Sequence, residues 1–159
     1  MTQQKLGVIL TEEYNTDAFG VGTRHRAPDG KTYRFVKAQA AKTIGLVYGI
    51  DEAFEVYATA AVKTESHPLL GVPAFTSSAP ASGFTYKYFW IQTAGNFARV
   101  EAAAASADNA GCYATQTAGK IDDGDDSGKL IRGWKFTTAA GSATNTTAYG
   151  AEEQSLDQA

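Results

Sequence analysis

Cysteine occurs once in the 159 residues, at Cys112. A single thiol excludes an intrachain disulfide, and with no CxxC pair or Cys/His signature around it nothing marks it for redox or metal chemistry. It reads as a small buried apolar residue. Histidine is nearly as scarce. His25 and His67 stand far apart, so the short His-x-x-x-His spacing of a zinc site does not occur. Charged residues make up 19%, below the roughly 25% of ordinary globular chains. No run approaches the ~20 apolar residues of a membrane span. Leu6 to Leu10 is too short for a signal-peptide core, so the expectation is a protein made without a secretory signal and without a membrane partner.

The formal net charge is −3, with 14 basic against 17 acidic residues. A nucleic-acid partner needs clustered basic surface, and this balance argues against one. The one dense basic cluster is Arg24, His25 and Arg26, with Lys31 and Arg34 nearby. It reads as a solvated hairpin or as a contact with an acidic protein neighbour. Motifs of catalysis are missing as well. There is no phosphate-cradling glycine loop, no dinucleotide fingerprint and no nucleophile elbow. Asp123-x-Asp125-x-Ser127-Gly128 matches the first half of a calcium loop. The twelfth position, which should be a bidentate glutamate, is Trp134, and no flanking helices are evident. A solvated turn is the simpler reading. The sequence therefore predicts no catalytic residue, no metal site and no cofactor.

What is present points to strands. Glycine (16) and tyrosine (8) are plentiful, as are alanine and threonine, a mixture that suits short strands and many turns. A chain of this length buries roughly 68–70% of its unfolded surface, enough for one domain without a staple. Val21–Arg26, the turn Pro28-Asp29-Gly30 and Thr32–Val36 predict a hairpin, because proline and glycine supply the turn angles and the return strand is aromatic and β-branched. Leu46–Tyr48 predicts a short strand. Ala53–Val62 alternates, with Phe54, Val56, Ala58, Ala60 and Val62 facing inward and Glu55, Tyr57 and Thr59 outward. Phe84–Gln92 is apolar on both faces, as a central or covered strand must be. Thr93–Asn96 reads as a tight turn and Phe97–Ala102 as the return strand. Cys112–Thr117 and Lys129–Thr138 follow, the latter with Gly133 as a bulge or a kink. Ala38–Lys42 and Ala102–Ala110 predict a helical turn at most.

The expected architecture is all-β, a compact antiparallel β-sandwich or β-barrel with extended terminal arms. Residues 1–20 form an N-terminal arm, 21–138 a single β domain, and 139–159 a flexible or partner-ordered tail. The segment from about 66 to 83, which carries Pro68, Pro73 and Pro80, reads as a long irregular connection. Contact surfaces are expected where segments cannot fold by themselves. These are Leu6, Val8, Leu10 and Tyr14 in the arm, His67, Leu69, Leu70 and Phe75 in the connection, and Tyr149 in the tail.

The runs GVGTRHRAPDGKTYRFVKA, LLGVP, FTYKYFWIQTAGNFARV and NAGCYATQTAGKI resemble small structural proteins of tailed-bacteriophage head gene clusters. The carrying features are a Gly-Thr hairpin with an aromatic return strand, an aromatic Trp-Ile-Gln-Thr-x-Gly hairpin, and a later Ala-Gly segment repeated after six intervening residues, at Ala110-Gly111 and Ala118-Gly119. The resemblance spans residues 20 to 121. It implies a capsid decoration or cement protein on the exterior of the virion, with the major capsid protein as partner. It also implies a homo-oligomer, a trimer at local three-fold positions, and no catalytic residues to carry over. Two alternatives stand beside it: another virion part, such as a tail or head–tail joining component, and a carbohydrate-binding β-module.

Overall fold

The computed structural model describes residues 8–57, 69–124, 129–141 and 144–151. Among these there is no helix; nine strands form one large antiparallel sheet. They are β1 (Arg24–Arg26), β2 (Thr32–Ala38), β3 (Tyr48–Ile50), β4 (Leu69–Pro73), β5 (Lys87–Glu101), β6 (Gly111–Ala114), β7 (Ile121–Asp122), β8 (Lys129–Phe136) and β9 (Asn145–Gly150). The main path runs β1-β2-β5-β9-β8-β6-β7, with β4 pairing both β3 and β5.

The all-β expectation holds, and the organising element is β5. It is one continuous strand of 15 residues, so the turn expected at Thr93–Asn96 is not there. Its first half pairs with β2 (Phe35 opposite Trp90) and its second half with β9 (Phe97 opposite Ala148). Gly95 lies where the two halves meet, at φ +91°, and a Cβ there would come within 2.9 Å of the Lys31 Cα. The turn-like composition thus serves a close passage of two backbones, which only glycine allows.

Two circuits of backbone pairing share β5. The first runs β2–β5–β4–β3 and returns to β2 through residues 54–56. Ile50 bridges Val56, Glu55 bridges Lys37, and the Lys37 N–H donates to the Phe54 carbonyl at 3.0 Å. The second runs β5–β9–β8–β6–β7 and returns through Ala102, which bridges Ile121. Each closure hides strand edges that would otherwise be free to pair with other chains.

Three apolar clusters follow from the alternation of side chains along β2 and β5. Val36, Ala38, Phe89 and Ile91 join Tyr48, Ile50 and Val56 on one face. Tyr33, Phe35 and Trp90 occupy the opposite face. Beyond Gly95, Phe97, Val100, Cys112, Ile131, Trp134, Phe136 and Ala148 fill the core of the second circuit. Cys112 is fully buried, as expected, and burial pushes its thiol up to about 12. Gly133 takes φ +75°, and the β6–β8 register shifts beside it, so the expected bulge is present.

Four expectations are corrected. The stretch from 139 is not a tail throughout, because β9 lies between β5 and β8 and buries Thr146, Ala148 and Gly150. The connection 66–83 is not irregular throughout: Leu69–Pro73 is β4, and Pro73 is tolerated as its last residue. The strand expected from Phe84 starts at Lys87, leaving Phe84 45% exposed. Ala53–Tyr57 is a turn with two bridges in place of a regular strand, and Ala58–Val62 lies outside the described residues.

Candidate interaction surfaces

The N-terminal arm covers the aromatic face of β2 and β5. Val8, Leu10, Tyr14 and Phe19 pack against Tyr33, Phe35 and Trp90. The rings meet mostly edge-on: Tyr14–Phe19 centroids are 5.4 Å apart, Phe19–Phe35 5.1 Å and Tyr14–Phe35 5.8 Å, the arrangement that the ring quadrupoles favour. Tyr14 also exchanges backbone hydrogen bonds with Tyr88, at 2.8 and 2.9 Å. Glu13 accepts hydrogen bonds from the Ser78 N–H and hydroxyl, and the Lys87 ammonium lies 3.6 Å from it. Burial by itself raises the Glu13 pKa, but the Ser78 bonds and the Lys87 charge outweigh it and hold the carboxyl below its ordinary value.

Most residues expected at a contact surface are therefore used inside the molecule. Val8, Leu10 and Tyr14 seal a core. Leu70 is fully buried in β4, and Leu69 and Phe75 pack on the β3 cluster. Leu6 and His67 lie outside the described residues. Tyr149 is the one that presents surface, 36% exposed on β9 between Asn96 and Lys135. The residues of Asp122–Gly128 proposed as half a calcium loop are described only as far as Gly124. Asp123 accepts from the Ala107 N–H at 2.6 Å, and among the described residues no three carboxylate, histidine or cysteine groups gather as a metal site.

Sequence reasoning missed two exposed apolar groups, Ile9 and Phe84, whereas Tyr57, read as an outward residue of Ala53–Val62, is exposed as expected. Ile9 carried a signal, since it is the out-of-phase residue of the Val8/Leu10 alternation. A cavity of about 140 Å³ beside the middle of β5 was not foreseen either. Tyr33, Val72, Gln92, Phe97, Lys31 and Arg99 are among its walls. Its polar groups are largely spoken for. Lys31 pairs with Asp29 at 2.6 Å, Arg99 donates to Asn145 at 2.8 Å, and the Gln92 amide donates to the Ala94 and Asn96 carbonyls. Buried Lys42 is likewise engaged: its ammonium donates to the Ala40 carbonyl at 3.2 Å and lies 5.5 Å from the Tyr48 ring, and burial lowers its pKa.

Comparison with known proteins finds no matching family model, no matching curated protein and no matching solved structure.

The basic hairpin is placed at the end of the sheet path. β1 pairs with β2, bringing Arg24 opposite Arg34 and His25 opposite Tyr33. Arg24 and Arg26 are exposed, while the His25 ring turns inward to lie 5.9 Å from Trp90.

Proposed function

We propose that this protein is a structural component of a tailed-phage particle that binds the outer surface of the capsid and stabilises the shell. It acts without catalysis, with the major capsid protein as its partner and a trimer as its working form. The observation that carries the reading is the doubly closed sheet. A decoration protein is crowded at many copies on one lattice, where an open flat edge on one copy would cross-pair with its neighbours. Two circuits of pairing with the arm laid over the remaining aromatic face give a rigid body with few such edges. The segments quoted for the resemblance fall on β1, β2, β4, β5 and β6, so they form the body of the fold. Exposed Ile9, Tyr57, Phe84 and Tyr149 supply apolar contacts of the kind protein interfaces use. Many weak contacts on a repeating lattice gain from multivalency.

Co-sedimentation of the purified protein with undecorated heads, followed by electron microscopy, tests the proposal. Saturable binding at regular lattice positions is the expected result. Failure to bind heads, with recovery in tails or on glycans, replaces it with one of the two alternatives.

A further inference from the structure

The open side of β1 is a second kind of surface, and it does not depend on the capsid reading. β1 ends the path of strand pairing. Its ladder with β2 fixes which way its peptide groups point. The Phe35 N–H donates to the Thr23 carbonyl at 2.9 Å and the Ala27 N–H to the Lys31 carbonyl at 2.9 Å. Bonded positions alternate in an antiparallel pair, so 23, 25 and 27 face β2. The N–H and C=O groups of Arg24 and Arg26 therefore face the open edge.

Their side chains carry uncompensated charge. Lys31, Lys87, Arg99 and Lys120 each lie within ion-pair distance of a carboxylate. Among the described residues, none lies within that distance of Arg24 or Arg26. Register makes matters worse. Arg24 stands directly opposite Arg34, and like charges at paired positions destabilise a sheet. Arg34 relieves itself inward, donating to the Gly22 carbonyl at 2.7 Å and lying 5.9 Å from the Phe54 ring centroid. Arg24 and Arg26 are left exposed, on the same face of the strand. In a chain of net charge −3, an arginine pair beside peptide groups that have no partner among the described residues is a local inversion of sign.

We propose that β1 receives an extended acidic segment of a partner protein by strand addition. The partner's backbone pairs with the outward peptide groups of Arg24 and Arg26, and carboxylates at every second position meet the two guanidinium groups. The residues between them face the His25 side and are small or apolar. A nucleic-acid strand would meet the charges but not the peptide ladder, which is why a polypeptide is the better fit.

The test uses the full-length protein and fluorescein-labelled peptides read by anisotropy. One peptide alternates glutamate and threonine. The second keeps the glutamates and replaces each threonine by proline, which has the same charge and cannot pair as a strand. The expected result is saturable, salt-sensitive binding of the first peptide, about tenfold or more tighter than the second. Binding should slow amide exchange at Arg24 and Arg26, and R24E/R26E should weaken it about tenfold or more. R24T/R26T, which keeps strand propensity, repeats the charge test should the glutamate variant misfold. No binding of the alternating peptide, equal binding of both peptides, or a preference for a single-stranded oligonucleotide of equal charge would overturn the proposal.

Discussion

Val8–Phe19 and Asn145–Gly150 both bring chain from near an end onto the same sheet, and they do so by opposite means. The arm lies across a face. It contributes large side chains, a single bridge at Tyr14–Tyr88, and one carboxylate latch. β9 enters the sheet itself, with a ladder on each side and almost no bulk, burying Thr146, Ala148 and Gly150. The arm's energy is mostly side-chain burial, which can be removed piece by piece. That of β9 is a shared backbone ladder between β5 and β8, which cannot. The difference teaches that bulk and indispensability are separate quantities, and it suggests how to tell them apart by experiment.

The largest effect should come from truncating after Ala139. This deletes β9, exposes the inner edges of β5 and β8, and opens the second circuit. The expected loss is on the order of the whole folding free energy of a domain, about 5 kcal/mol or more. Circular dichroism and the labelling rate of Cys112 report it. In the intact protein the thiol is buried and inert, with its pKa at about 12; in the truncated one it should react at the rate of an unfolded control. A folded, unreactive truncated protein would erase the contrast between the two segments.

Deleting residues 1–20 should be milder. It uncovers Phe35 and Trp90 but breaks no circuit. Each fully buried large apolar side chain is worth about 1.5–3 kcal/mol, and the arm's four are only partly buried, so a loss of about 2–4 kcal/mol is expected from the urea midpoint. Trp90 fluorescence should shift to the red in a Trp134→Phe background, while Cys112 labelling stays slow. Accelerated Cys112 labelling would mean that the arm and the second circuit unfold together.

Tyr14→Ala samples the arm at one point. It removes the ring from Phe19 and Phe35 while leaving the backbone bonds to Tyr88 available. Half-buried aromatic contacts of this sort are worth about 1–2 kcal/mol, measurable by the same denaturation. A change as large as that of the full deletion would locate the arm's whole contribution in this residue.

How much of this was legible in the sequence follows from the same contrast. Alternation with large residues was readable, so β2 was expected where it stands and the two-faced first half of β5 within three residues of where it starts. The need for something to cover the second aromatic face was also readable, but not what covers it, which is the chain's own Val8–Phe19. β9 was missed because its inward residues are small. The alternation was there, but no bulk marked it, since the core opposite is already filled: the Phe97 and Trp134 ring centroids lie 4.4 Å apart, and a Cβ on Gly150 would come within 2.8 Å of the Trp134 Nε1. The expected hairpin in β5 failed for a related reason. Thr-Ala-Gly-Asn has the composition of a turn, and only the tertiary passage past Lys31 shows why a glycine is needed in an unbroken strand. The interaction residues were legible least, because poor self-sufficiency identifies segments that need a partner without saying whether that partner is another molecule or the same chain.

The smallest predicted effect is the pH dependence of the arm, and it separates the two segments without removing either. Glu13 has its pKa held below the ordinary 4.5 by Ser78 and Lys87, against the opposing pull of burial. A carboxyl lowered in the folded state stabilises fully above its unfolded pKa, and that stabilisation is lost as pH falls through the folded value. The latch should therefore be constant at neutral pH and weaken below about pH 4.5, the unfolded value. Among the described residues β9 has no counterpart, since its side-chain hydrogen bonds to β8 and the residues after it are hydroxyl pairs such as Thr137–Thr147 at 2.6 Å and Thr138–Thr146 at 3.0 Å, which do not titrate in that range. Acidification should thus redden Trp90 fluorescence, again in the Trp134→Phe background, before amide exchange at Thr146 and Ala148 quickens. Glu13→Gln keeps acceptor geometry toward Ser78 without the charge. It should make the arm slightly looser at pH 7 and remove this acid step. An unchanged acid step in Glu13→Gln would place the titrating group elsewhere, and simultaneous loss of protection at Thr146 and Trp90 would show that the two segments report one cooperative unit.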